Sequence, residues 1–130
     1  MIVLDASILV EALLRRPAAD AILERISEPD VTLHAPHLID IEVAHAVRGL
    51  AARGEITAAL GGHAMQQLEQ FPLERYPHQD LLQGVWTLRH SLSAYDAAFV
   101  TLAEILDAPL LTRDRRLASA HGHGARVEVV

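Results

Sequence analysis

Five short β-like runs alternate with longer helical stretches along the 130 residues, and that alternation leaves few folds open. Ile2 to Asp5 reads as a strand feeding a helix over Ser7 to Leu14. Pro17 opens a second helical run, Ala18 to Ile26, and Val31-Thr32-Leu33-His34 makes the second strand. Pro36 starts a long helix that Gly54 can close, and Thr57 caps another that runs to about Gln70. Leu73 to Tyr76 is a third strand, Pro77 to Arg89 is helical, and Tyr95 to Leu106 is a further helix leading into Pro109-Leu110-Leu111-Thr112. Val127 to Val130 is the last strand.

Strands separated by helices imply a parallel sheet covered on both faces, so the expected fold is a three-layer α/β/α domain with a central parallel sheet of about five strands. A chain of 130 residues is long enough for one well-buried core and too short for two ordinary ones, so a single domain over 1–130 is expected. Half of the residues are hydrophobic and aromatics are scarce, so Ala, Leu, Val and Ile must build that core, with an apolar face left over for a partner.

Ligands of such sheets bind beyond the carboxyl ends of the strands. Asp5 closes the first strand and Asp114 follows the fourth, so both carboxylates project at that edge. Each also has a bland reading, because Asp is a favoured N-cap and turn residue. Glu42 is more informative. The core face of its helix runs through Ile39, Val43, Ala46, Val47 and Leu50, and Glu42 lies roughly 60° from that line, at its border. A solvated Glu belongs on the opposite side, near Arg48. Asp96, in the first turn of its helix, shares a face with Phe99, Val100 and Ala103; capping explains its position but not its apolar company.

Ionised carboxylates that are half-buried together repel one another and are poorly solvated unless a cation or hydrogen bonds compensate. A divalent metal site at Asp5, Glu42, Asp96 and Asp114 answers that requirement. All-oxygen donors in a chain without Cys favour hard ions such as Mg²⁺ or Mn²⁺. The missing Cys also excludes disulfides and thiolate zinc sites.

Net charge is −6, and all eleven basic residues are Arg. Chemistry that needs a lysine amine is therefore closed to this chain, whereas bidentate phosphate contacts are open to it. The acidic balance argues against strong non-specific nucleic-acid binding, although two divalent cations would bring −6 to −2. Arg clusters at 15/16 and 113/115/116 stand near the expected rim. The apolar run at the N-terminus is broken by Asp5 and the next by Glu11, so neither a signal peptide nor a membrane span fits, and the default location is the cytoplasm.

The pieces Ile2-Val3-Leu4-Asp5-Ala6-Ser7, Ile41-Glu42-Val43, Leu92-Ser93-Ala94-Tyr95-Asp96-Ala97-Ala98 and Leu110-Leu111-Thr112-Arg113-Asp114-Arg115-Arg116 resemble, in order, the four motifs of PIN-domain nucleases, especially the VapC toxins of toxin–antitoxin pairs. The resemblance spans nearly the whole chain. It implies a compact α/β/α domain that forms a homodimer, binds Mg²⁺ or Mn²⁺ and cleaves RNA, restrained by a cognate antitoxin. Carried over residue by residue, it makes Asp5, Glu42, Asp96 and Asp114 the acidic quartet and Ser7 and Thr112 its supporting hydroxyls. Ser7 also reads as a cap of the first helix, and Thr112 as a plain strand residue. Arg113, Arg115 and Arg116 are the candidate RNA phosphate contacts, with a solvated helix start as the alternative.

Competing functions share parts of this pattern. A haloacid-dehalogenase-type phosphatase also places an Asp after its first strand, but its second acid is Ser7 here, and its lysine has no counterpart. A receiver-type signalling domain has the right length and an acidic pocket, yet it too wants a lysine. A catalytically inactive PIN fold serving as a binding module is the remaining alternative. Among eight histidines, Glu42-x-x-His45 resembles half of a di-iron motif whose other half is missing. His34, His37 and His45 either line the cleft or pack, with packing favoured, and His121 and His123 are expected in solvent. Trp86 is expected in the core or a dimer interface, while Tyr95 adjoins the acidic site. An antitoxin tail is expected to lay apolar side chains in a groove between the helices Pro36 to Arg53 and Thr57 to Gln70, sending an Arg into the acids.

Overall fold

The computed structural model describes residues 1–130. Five strands, β1 (Ile2–Leu4), β2 (Leu33–Pro36), β3 (Leu73–Tyr76), β4 (Leu110–Thr112) and β5 (Val127–Val129), form one parallel sheet in the order β3-β2-β1-β4-β5. β1, β2 and β4 are buried at every position, as the interior strands of a sheet covered on both faces must be.

Helices α1 (Ala6–Leu13) and α2 (Ala19–Ile26) join β1 to β2; α3 (Leu38–Ala52) and α4 (Ala58–Gln70) join β2 to β3. Helices α5 (Leu82–Thr87) and α6 (Ala94–Leu106) carry the chain from β3 across to β4, and the short α7 (Arg115–Ser119) precedes β5. Right-handed crossovers then put α1 to α4 on one face and α5 to α7 on the other. The packing agrees: α1 rests on α2 and α3, α3 on α4, and α5 on α6. The expected three-layer α/β/α sandwich is therefore the observed one.

The buried stripe of α3 is Ile39, Val43, Val47 and Leu50, and Gly54, at φ 74°, turns the chain out of that helix. Thr57 caps α4 by accepting from Leu60 N at 3.1 Å. Arg75 on the edge strand β3 fastens this side. It forms a two-pronged ion pair with Asp40 of α3 (2.7 and 2.9 Å) and donates to the carbonyl of Leu68 in α4 at 2.9 Å.

Some sequence expectations need correction. Pro36 does not start the long helix; it ends β2, where it lies opposite Tyr76, and α3 begins at Leu38. The second strand is accordingly Leu33–Pro36 rather than Val31 to His34. The stretch expected to be helical from Pro77 to Arg89 is a 3₁₀ turn (Gln79–Leu81) followed by the six residues of α5. Trp86 is not in the core: it is 66 % exposed, with the Arg89 guanidinium 4.4 Å from its ring centroid. His123 is half-buried rather than solvated, and its Nδ1 accepts from Ala125 N. No helix is long and apolar enough to cross a membrane.

Candidate functional site

Strand order reverses at β1, whose neighbours are β2 on one side and β4 on the other, and crevices for ligands form at such switch points. Asp5 follows β1 and Asp114 lies just past β4, so two carboxylates rise side by side at the carboxyl edge. Asp5 is the N-cap of α1. Its Oδ1 accepts from Ser7 N (3.0 Å) and Ile8 N (3.4 Å) and from the Ser7 hydroxyl, and its Oδ2 accepts from the Thr112 hydroxyl. The same hydroxyl oxygens accept in turn from the next loop: Ser7 Oγ from Arg113 N at 3.0 Å, Thr112 Oγ1 from Asp114 N at 2.9 Å. Ser7 and Thr112 thus tie the end of β1 to the loop after β4. Burial pushes the Asp5 carboxyl above its ordinary range, against these hydrogen bonds, which pull it down.

Glu42 reaches the region from α3, one step outside the buried stripe, and is half-buried. Its carboxyl is pushed up to about 7, first by burial and then by the negative charges of Asp96 and Asp5. Asp96 belongs to the first turn of α6, where its N–H donates to the Ser93 hydroxyl at 3.2 Å, and the residues after it, Ala97 to Ala103, are all buried. The end of β1, α3 and α6 therefore bring three carboxylates into one another's field.

Asp114 is different. It caps α7, and both of its oxygens are paired with Arg116, which holds the carboxyl below its usual range. The capping readings of Asp5 and Asp114 are thus correct as far as they go. No three Asp, Glu or His side chains converge closely enough to hold an ion directly. Asp5 is turned toward Ser7 and Thr112, and Asp114 toward Arg116.

A cleft of about 860 Å³ runs from this region between α1 and α3. Ser7 and Glu42 stand at its acidic end, Val10, Leu38, Ala46 and Leu50 line its apolar length, and Arg16 and Arg53 stand farther along. Ile41 (70 % exposed) and Tyr95 (63 %) form its rim. Of the two helices expected to form the antitoxin groove, the first, α3, lines this cleft, while α4 packs on α3 with a smaller cavity between them lined by Asp40, Met65, Leu68 and Arg75.

Of the histidines, His45 lines the cleft, while His34 is buried between Thr32 and the Tyr76 hydroxyl (2.7 and 2.6 Å). His37 is exposed beside His78. His78 was missed in the sequence: its Nε2 accepts from Leu38 N at 2.9 Å and so caps the helix that carries Glu42. Of the three candidate phosphate contacts, Arg113 lines the cleft and donates to the Val130 carbonyl, Arg115 is exposed on α7, and Arg116 is the partner of Asp114.

An all-parallel α/β/α sheet with carboxylates gathered at its switch point defines a class of acidic-edge domains. Residues 2–122 match the family model described as PIN domain. Ribonuclease VapC12 of Mycobacterium tuberculosis is 40% identical over 130 residues, covering 100% of this chain and 99% of that one. Two solved structures share the fold. VapBC2 from Rickettsia felis, bound to a DNA fragment from its promoter, has a TM-score of 0.71 at 16% identity and covers 99% of this chain and 98% of that one. A toxin-antitoxin complex from Klebsiella pneumoniae has a TM-score of 0.64 at 19% identity and covers 88% and 87%. The chain belongs to the PIN-domain family and, within it, to the VapC proteins.

The donor set fits a hard divalent ion. The charges of Asp96 and Asp5 disfavour ionisation of Glu42, and no basic side chain is hydrogen-bonded to Asp5, Glu42 or Asp96. Mg²⁺ commonly keeps several waters and meets few carboxylates directly, so side chains that do not converge are compatible with it. The Glu42 shift has a consequence for stability. The folded chain holds the Glu42 proton up to about pH 7, whereas the unfolded chain releases it near 4.5. Stability is therefore highest below pH 4.5 as far as this group is concerned, and it declines as pH rises through 7. Without divalent ions, Glu42→Gln is expected to remove that decline, raising Tm at about pH 8 by some 3 °C and leaving it unchanged at about pH 4. Thermal melts across the pH range check it; equal slopes in both proteins would reject the Glu42 assignment.

Proposed function

We propose that this chain is a metal-dependent endoribonuclease, the toxin of a toxin–antitoxin pair, which hydrolyses RNA phosphodiester bonds at Asp5, Glu42 and Asp96, with Asp114 as a fourth acid. The observation that carries this reading is the half-buried Glu42 at the sheet's switch point, its carboxyl raised to about 7 by burial and then by the charges of Asp96 and Asp5. Its support in family terms is the identity with VapC ribonucleases over the whole chain. Mg²⁺ or Mn²⁺ bound there would lower the pKa of a water and offset charge on the phosphate.

The protein's own residues prepare the site. Ser7 and Thr112 fix Asp5, the β1 to β4 tie keeps Asp5 and Asp114 on one edge, and His78 secures the start of the helix that carries Glu42. Arg113 and Arg115 take the phosphates that flank the cut, and Tyr95 offers a face to an unstacked base. In the cleft between α1 and α3, an amphipathic antitoxin segment lays apolar side chains along Val10, Leu38 and Leu50 and presents a guanidinium to the acidic end. The protein acts in the cytoplasm as a homodimer.

A phosphatase or receiver reaction is disfavoured because both want a lysine and the chain has none. The test is incubation of the purified chain with structured RNAs, with Mn²⁺ or with chelator, beside an Asp96→Asn variant. Cleavage is expected only with the ion, reduced about 10²-fold or more in the variant. Mn²⁺ is also expected to raise Tm, more at alkaline than at acidic pH, because bound metal favours the ionised carboxyls. An acyl-phosphate at Asp5 with no RNA cut would overturn the nuclease reading.

A further inference from the structure

Asp114 is held by a residue two positions along its own chain. Its Oδ1 accepts from Arg116 N at 2.9 Å as the cap of α7. The Arg116 side chain then folds back, with Nε 3.1 and 3.2 Å from Oδ1 and Oδ2, and the terminal nitrogen 2.7 Å from Oδ2. Both oxygens of this acid thus accept from one guanidinium, and Oδ1 from the backbone as well. The other two arginines of the run do nothing comparable: Arg113 donates to the Val130 carbonyl, and Arg115 makes no ion pair. The charge of Arg116 also interacts with Asp96, which lies on another element.

We propose that Arg116 is a built-in competitor of the divalent cation, a guanidinium that occupies Asp114 and must release it before that carboxylate joins the metal site. This rests on the metal-dependent nuclease reading given above. Two observations make the exchange feasible. The Arg116 side chain is 86 % exposed, and exposed ion pairs of this kind are weak, so little holds it in place. The backbone of Asp114 is separately anchored by its N–H to Thr112 Oγ1, so releasing the carboxylate leaves the loop in register with Asp5. A lone pair cannot serve a guanidinium and a cation at once, and the two positive charges repel. The contact also accounts for Asp114 being turned away from the other acids.

The experiment is calorimetric titration of Mn²⁺ into the chelator-treated full chain, comparing wild type with Arg116→Gln, Arg116→Lys, Arg115→Gln, Asp114→Asn and the Asp114→Asn/Arg116→Gln double variant. Arg116→Gln is expected to bind Mn²⁺ about fivefold more tightly. Arg116→Lys, which keeps the charge but not the fork, falls between it and wild type. Arg115→Gln, which removes the same charge one residue away, stays within about twofold of wild type. The gain disappears when Asp114 is Asn. Circular dichroism confirms that each variant is folded. Equal or weaker binding by Arg116→Gln, or the same gain from Arg115→Gln, overturns the competitor role while leaving the nuclease reading intact. No saturable Mn²⁺ binding by wild type or any variant overturns both.

Discussion

Asp5→Asn is expected to reduce metal-dependent RNA cleavage by about 10³-fold while raising the melting temperature at neutral pH. The two effects have one origin. Asp5 is buried, and burial outweighs the hydrogen bonds of Ser7, Thr112 and Ile8 in setting its pKa, so the fold disfavours the charge it carries. An amide of the same shape keeps the capping acceptor for Ser7 N and Ile8 N. Thr112 Oγ1, which already accepts from Asp114 N, can accept from the new amide as well. The substitution therefore removes an unfavourable charge at little cost in packing. It also removes the carboxylate that a hard cation needs. A residue kept only for folding would show the opposite stability sign. RNA cleavage assays and thermal melts on one preparation decide it: a variant with lower Tm and retained cleavage would make Asp5 a structural cap and nothing more.

The sequence read the layers correctly because the relevant signals are local. Ile2-Val3-Leu4 and Leu110-Leu111-Thr112 are short apolar runs, and the stripe through Ile39, Val43, Val47 and Leu50 has helical period. Glu42 was found at its border for the same reason, since its angular offset from the stripe is fixed by helix geometry. Most departures from expectation turn on a contact distant in sequence. Pro36 pairs with Tyr76 and so belongs to a strand, a partnership no local rule shows. The cleft between α1 and α3 arises because these helices, far apart in sequence, are neighbours on one face of the sheet. His78 caps a helix that starts 40 residues earlier, and the Arg116 to Asp114 pairing depends on a side-chain rotamer.

The second large effect is on stability, far from the acids. Gly84 in α5 lies directly on Thr101 of α6: a Cβ at position 84 would stand 2.9 Å from Thr101 Cβ and closer still to its Cγ2 and Oγ1. Thr101 is 6 % exposed and sits in the middle of a fully buried stretch of α6, so it has nowhere to retreat. Its hydroxyl is buried without a hydrogen-bond partner, which means the close approach of the two helices is set by shape and not by a polar contact. Gly84→Ala would raise helix propensity by about 1 kcal/mol, yet the clash is expected to win, for a net loss of about 2–3 kcal/mol. In a chain of 130 residues that is a fall in Tm of about 8–10 °C. Thr101→Ala removes the two nearest atoms, so it should recover more than half of the loss in the Gly84→Ala background while being mildly destabilising alone, a coupling expected only of residues in contact. Since α6 carries Asp96 into the acidic site, the loosened α5 to α6 packing should also weaken Mn²⁺ binding in Gly84→Ala and recover with the second substitution. Thermal melts of the four proteins settle the packing claim. Additive effects of the two substitutions, or a Gly84→Ala protein as stable as wild type, would show that α5 can shift outward and that this helix pair is not what holds α6 in place.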